Sequence, residues 1–413
     1  MSISPGDMPT VSVIVVSRGR AASLMRTLLG IAQLAYPSFE VIVVADPLGI
    51  EAAKNTILGP FAKLVAFEEA NISAARNAGI ALASGEIIAF IDDDAVPEPS
   101  WLKHLCAPFL DSNTGATGGF VRGRNGISFQ WRARLVDQTG RHSAIAHEGT
   151  APFAPKIPPG MAVRTEGTNC AFRRDLLLSM GGFDPAFHFY MDETDLNMRL
   201  AGMKQQVVLA PLAQVHHGFA ASDQRYENRA PKSLFDIGAS TSVFLRKHAN
   251  KAAIEPSLTQ LRADQRKRLI AHMVQGTCEP RDVNALMKTL EDGIEAGKSR
   301  SINPLPRISP TLMPFIPVPA LFEGSKILSG RRFSRRRLRK EAAQMVASGN
   351  RVSLFEFSFT GLFHRVSFRP EGYWLQRGGI FGRADRNEPR FRITTFKQRL
   401  ACEVSRIASL RQF

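Results

Sequence analysis

Three consecutive aspartates, Asp92, Asp93 and Asp94, follow the apolar run Ile87-Ile88-Ala89-Phe90-Ile91. Like charges side by side repel, and carboxylates against a core lose hydration. Alternate residues of an extended stretch point the same way, so Asp92 and Asp94 share a side and Asp93 faces elsewhere. A cation beside the first and third removes the repulsion, and carboxylates are natural ligands for Mg²⁺ or Mn²⁺. A second acidic group, Asp192, Glu193 and Asp195, opens the helical pattern ETDLNMRLAG. One of these carboxylates can act as a general base on an attacking hydroxyl. His216 and His217 come after the apolar run QQVVLA, and a neutral imidazole is a further ligand type for a metal. Each feature also has a plain reading: an acidic turn after a strand, carboxylates at a helix N-terminus, histidines as polar contacts.

The elements that must position these groups alternate between strand and helix. Val11–Val16 is a β-branched run of the kind buried on both faces, and FEVIVVAD gives a second such strand. Leu24, Leu28 and Ile31 recur at helical spacing between them. Lys63–Phe67 reads as a third strand. NISAARNAGIALASG reads as a helix capped by Asn71, with Ile72, Ala75, Gly79 and Leu82 on one face and Gly85 at its end. EIIAFI is the fourth strand. This order implies an α/β fold with parallel pairing and right-handed crossovers. Ligands of such sheets bind at the carboxyl ends of the strands, where Asp92–Asp94 sit.

Taken in order, VSVIVVSRGR, FEVIVVAD, NISAARNAGIALASGEIIAFIDDD, EGTNCAFRRDLLLSMGGFD, YMDETDLNMRL and APLAQVHH resemble the family 2 glycosyltransferases over roughly residues 9–250. The resemblance implies a GT-A (Rossmann-like) fold, a mixed, mainly parallel sheet flanked by helices. It implies an inverting transfer from a nucleoside-diphosphate sugar to an acceptor hydroxyl, in cell-surface glycan or glycoconjugate synthesis. Asp92 and Asp94 match the family's D-x-D, and with His217 they are the implied metal ligands for Mn²⁺ or Mg²⁺. Asp46 matches the base-contacting acid; Arg76 and Asn77 match polar positions near the nucleotide; Asp92 and Asp93 are counted with the donor site. Glu193 takes the place of the catalytic base in E-D-x-D, but the pair is inverted here, so Asp192 shares the assignment. Asn169 and Asp195 are placed on the acceptor side. Ala45 stands where the family more often has a second acid. The segment between motifs, residues 123–160, has no counterpart and is read as loops over the acceptor cleft. Two other functions fit the same elements: a nucleotidyltransferase, and a silent glycan- or nucleotide-binding module. The single glycine of SRGRAAS argues against the first.

The organisation expected from this is a domain over 1–250 (9–100 nucleotide-binding, 101–250 acceptor), a helical extension over 251–300, and a basic region over 301–413 with a proline-rich linker. Leu261, Leu269 and Met273 line one face in the extension, and Phe355, Phe357 and Phe359 alternate as in a strand. The net charge of +16 is concentrated: residues 301–413 carry 21 Lys+Arg and 7 Asp+Glu, a balance of +14. Its densest point, Arg331–Lys340, is read as solvated surface or as a peripheral contact with an anionic membrane or a lipid-linked acceptor. Glycans and small molecules are the other acceptor classes; nucleic acid is not an expected partner. Four scattered cysteines, without a CxxC pair, fit a reducing compartment. No leader is read in the first twenty residues and no membrane span elsewhere, which places the protein in the cytoplasm, with the inner membrane face as a second location.

Overall fold

A computed structural model describes residues 8–218, 224–226 and 228–412; residues 1–7, which begin the stretch read for a leader, lie outside them. The first part alternates as expected: β1 (Val11–Ser17), α1 (Ala21–Ile31), β2 (Phe39–Ala45), α2 (Pro47–Lys54), β3 (Ala62–Ala66), α3 (Ile72–Leu82) and β4 (Ile87–Asp92). Next come β5 (Ala95–Pro97), α4 (Trp101–Cys106), β6 (Thr114–Arg122) and the short strands β7 (Phe129–Trp131), β8 (Arg134–Asp137), β9 (His142–Ala144) and β10 (Met161–Val163). Then follow β11 (Cys170–Arg173), α5 (Arg174–Ser179), α6 (Asp192–Gly202) and β12 (Gln206–His217).

The main sheet runs β3-β2-β1-β4-β11-β6-β12-β5, with β7 added to β6. Strands β3, β2, β1 and β4 are mutually parallel, whereas β11 pairs antiparallel with both β4 and β6. The fold is therefore α/β with a mixed sheet. Register fixes the working edge: Val16 lies beside both Val44 and Asp92, so the carboxyl ends of β1, β2 and β4 line up. Alternation splits β1 between two layers. Val11, Val13 and Val15 pack with Leu24 and Leu28 of α1, and Ile14 packs with Ala75 and Ile80 of α3. Helix α3 lies close on the sheet because Gly79 has no Cβ; one built there would stand 2.8 Å from Ile14 Cγ2.

The helices α7 (Phe235–His248), α8 (Lys251–Val274) and α9 (Pro280–Ser299) form the extension. Leu269 is buried in its core, and Leu261 and Met273 pack against it. Residues 301–323 contain no helix or strand, and bind along the first domain through Ile308 N to Leu178 O, Thr311 N to Ala81 O and Val318 N to Phe39 O. A second α/β unit follows: β13 (Ser325–Arg331), α10 (Arg335–Ala347), β14 (Arg351–Ser358), β15 (Arg365–Phe368), β16 (Trp374–Gly379) and α11 (Phe396–Arg411). Its sheet runs β13-β14-β16-β15. The basic region is thus a folded unit, with Arg331, Arg332, Arg335, Arg336, Arg337 and Lys340 exposed on its surface. Phe355 and Phe357 are buried as alternation requires, while Phe359 lies beyond the strand and is exposed. Phe322, Leu338, Leu354, Tyr373 and Leu375 belong to one continuous core with β1, α1 and α4. No described helix is long and apolar enough to cross a membrane.

Candidate functional site

The three aspartates divide as alternation predicts. Asp92 and Asp94 point to the cleft at the sheet edge, and His217, the last residue of β12, meets them there: its Nε2 lies 3.2 Å from Asp94 Oδ1 and 3.9 Å from Asp92 Oδ2. Ligand atoms of all three residues lie within 4.8 Å of one another. His216 points to the opposite face of the strand and bonds Glu98 Oε1 at 2.8 Å. Asp93 is fully buried. Ser17 Oγ donates to it at 2.6 Å and Arg20 pairs with it at 2.5 Å. Burial pushes its carboxyl up to about 7, against the pull of Arg20 and Ser17. Its side chain pins the turn and does not reach the donor cleft, which differs from its placement among donor-binding residues. Arginines also share the neutralisation that the sequence pattern assigned to a metal alone. Arg20 reaches Asp94 at 3.4 Å, Arg225 reaches it at 3.8 Å, and Arg76 reaches Asp92 at 3.3 Å.

Arg76 joins this cluster to the second one. The guanidinium is buried beneath the ring of Phe183, 5.0 Å from its centroid, and bonds both Asp92 and Asp192. Asp192 is spent on that contact, with 4% of its side chain exposed; burial pushes it up to about 8, against the pull of Arg76. Glu193 is more open, at 15%, and Arg164 reaches it at 3.4 Å. Arg164 also pairs with Glu166, as does Arg134. The chain enters α6 through two consecutive left-handed residues, Tyr190 at φ 74° and Met191 at φ 65°. Such backbone is strained for non-glycine residues and clusters at functional sites. It turns Asp192 and Glu193 onto the first turn of the helix.

Several expected residues have structural partners instead. Asn77 bonds the backbone of Phe183 with both ends of its amide, accepting from N at 2.8 Å and donating to O at 2.7 Å. Asn169 is fully buried, accepts from Trp101 Nε1, and donates to Phe120 O and Ala213 O. Both amides fasten elements together, and neither is presented to the cleft. Asp195 is buried between Arg199, Lys247 and His248 and ties α6 to α7. Burial opposes its charge, yet these three partners hold its carboxyl far below the usual range. Asp46 caps α2 through Gly49 N at 2.7 Å and accepts from Gly19 N at 2.5 Å, which fixes the loop after β1. Beside these ends a cavity of about 280 Å³ opens between Ser17, Val44, Phe67, Glu69, Asn71 and Phe189, among others. Glu69, Arg20, Arg225 and the Arg134–Glu166–Arg164 chain escaped the sequence reading. The only signal for Arg20 was its place just past a strand that ends at the working edge; the others lie in loops or, for Arg134, in the four-residue strand β8, without a pattern. A second acidic group, Glu388, Cys402 and Glu403, is neutralised by Arg399 and Arg406.

The fold and this edge define an α/β domain with an acidic, arginine-braced ligand cleft. Residues 12–177 match the family model described as Glycosyl transferase family 2. Over 234 residues the chain is 30% identical to the O-antigen biosynthesis protein RfbC of Myxococcus xanthus, covering 52% of this chain and 18% of that one. Over 254 residues it is 24% identical to the pre-mycofactocin glycosyltransferase of Mycobacterium tuberculosis (strain ATCC 25618 / H37Rv), covering 59% and 49%. Among solved structures, GalNAc-T7 with UDP, GalNAc and Mn²⁺ aligns at 17% identity and a TM-score of 0.42, over 52% of this chain and 46% of that one. The chain spans less than half the length of each of these relatives. Its N-terminal region is thus similar to the family 2 glycosyltransferases.

Proposed function

We propose that the chain is an inverting glycosyltransferase that moves a sugar from a nucleoside-diphosphate sugar to an acceptor hydroxyl in glycan or glycoconjugate synthesis. The observation that carries this reading is the convergence of Asp92, Asp94 and His217 at the sheet edge, within 4.8 Å, in a domain similar to this family. Two carboxylates and an imidazole suit Mn²⁺ or Mg²⁺. When bound, such an ion stabilises negative charge on the departing diphosphate. Arg20 and Arg225 add positive charge at the same place. The cavity between Ser17, Glu69 and Asn71 suits the nucleoside. Glu193 accepts the proton of the acceptor hydroxyl, and Arg164 orients its carboxylate. The acceptor oxygen forms a bond to the anomeric carbon from the opposite side. The bond to the diphosphate breaks, and its electron pair leaves with the nucleoside diphosphate. Residues 123–160, read as loops over the acceptor cleft, carry β7–β9, and Arg164 just after β10 brings this side of the domain to Glu193. The O-antigen name of one relative favours a saccharide acceptor, free or lipid-linked. Scattered free cysteines favour the cytoplasm.

The test is a panel of nucleotide sugars with and without Mn²⁺. One donor should be consumed, only with the divalent ion, and Glu193→Gln should suppress its consumption. If none is consumed under any condition, the chain is a binding module and the catalytic reading fails.

A further inference from the structure

The second α/β unit holds a basic cavity that the proposed transfer does not use. It measures about 650 Å³ and lies at the carboxyl ends of the parallel strands β13, β14 and β16, the edge where such sheets take ligands. Arg332, Arg335, Arg339, Arg365 and Arg377 line it. Arg339 is occupied by Glu356 in a two-pronged pair of 2.6 and 2.7 Å. The other four are exposed, and none makes an ion pair among the described residues. Helix α10 starts here, and its first turn contains no acidic residue. A helix N-terminus is itself positive, so arginines gathered around it raise the local potential further. An anion is what this arrangement lacks.

The rim indicates which anion. Leu362 and Phe363 line the cavity and are 59% and 52% exposed, and Phe359 beside it is 71% exposed. Phe333, 85% exposed, lies with Arg332, Arg335 and Arg336 on an adjoining hollow. Large apolar side chains standing in water around a basic hollow match a bilayer surface, where phosphates sit directly above acyl chains. We propose that this face docks on an anionic membrane, with the cavity taking the phosphate of a lipid headgroup. The inference is independent of the glycosyl-transfer reading.

The test uses the full chain and phosphatidylcholine vesicles with and without phosphatidylglycerol. The protein should sediment only with the anionic vesicles, and less so as salt rises. The variant Arg332→Gln/Arg335→Gln/Arg365→Gln/Arg377→Gln should lose about 10²–10³-fold in vesicle affinity. A control with the same charge change on α8 and α9, Arg266→Gln/Lys267→Gln/Arg281→Gln/Lys288→Gln, should bind like the parent. Leu362→Ser/Phe363→Ser, which leaves the charge untouched, should weaken the binding that survives in high salt. Equal losses in the site variant and the control would reduce the effect to overall charge and overturn the proposal. Tight calorimetric binding of inorganic phosphate or pyrophosphate without vesicle binding would assign the cavity to a soluble anion and overturn it also.

Discussion

Arg76 stands between two carboxylates with different tasks, Asp92 at the assigned metal position and Asp192 beside the assigned base. Its planar fork serves both at once, which an ammonium on a flexible stem does not reproduce. The same contact separates the inverted pair: Asp192 is committed, and Glu193 remains open to an acceptor. Glu193→Gln should keep donor binding and lower turnover by about 10²–10⁴. A crippled Asp192→Asn beside an active Glu193→Gln would reverse the roles. Asp92→Ala and Asp94→Ala should each remove the Mn²⁺-dependent part of nucleoside-diphosphate binding in calorimetry; unchanged metal dependence in both would end the ligand assignment. The gathering of Asp92, Asp94 and His217 was legible in two ways: the aspartates stand out as charge beside a core, and the resemblance alone singled out His217 from the pair His216-His217. Asn77 and Asn169 match motif positions, yet their amides satisfy buried backbone groups. That distinction depends on which carbonyls lie opposite, and no local pattern records it. Arg164 and Glu166 were illegible for the same reason.

At the level of elements, the cleft depends on strand ends arriving together and on α3 lying flat against them. Long apolar runs announced β1, β2 and β4, since strands buried on both faces carry no polar alternation, whereas the half-buried edge strand β3 showed only a short one. Strands β5 and β7–β10 have only three or four residues and show no period to read. Their pairing comes from neighbours far along the chain. Gly79 has the clearest packing role: Gly79→Val should cost about 1–3 kcal/mol through overpacking against Ile14 and Val44. A denaturant midpoint equal to the parent's would show that α3 can lift off the sheet without penalty. The left-handed pair Tyr190–Met191 is a different kind of constraint, since the fold holds it against local preference, and only the backbone geometry reveals it.

Across the whole molecule, the basic region and the first domain share one core, so charge composition suggested a separable region that packing does not permit. Removal of residues 301–413 should give aggregated protein, because Leu338, Leu354 and Leu375 share one hydrophobic core with residues of α1 and α4. A soluble truncation with the parent's thermal midpoint would contradict the shared core. The seam is closed by Glu98, buried against Arg411 of α11 at 2.7 Å and against His216, the neighbour of the assigned ligand His217. Burial alone would raise the Glu98 carboxyl, but Arg411 and His216 hold it far below the ordinary range. The folded value lies below the unfolded one of about 4.3, so the stabilisation is complete above that value and is lost as pH falls below it. Glu98→Gln should lower stability at neutral pH and flatten its decline below about pH 5, in urea unfolding followed against pH. An unaltered acid slope would show that the pair does not couple the two units. The seam also sets an order in time. Glu98 and Arg411 are 313 positions apart, so a ribosome adding about 5–20 residues per second exposes Glu98 about 15–60 s before its partner exists. Through most of that interval the strand edge carrying His216 and His217 waits on a carboxylate that has His216 but not yet its arginine. The edge that carries His217 is therefore braced in a nascent chain only once α11 has been made, and a cleaved product lacking α11 has that edge unbraced.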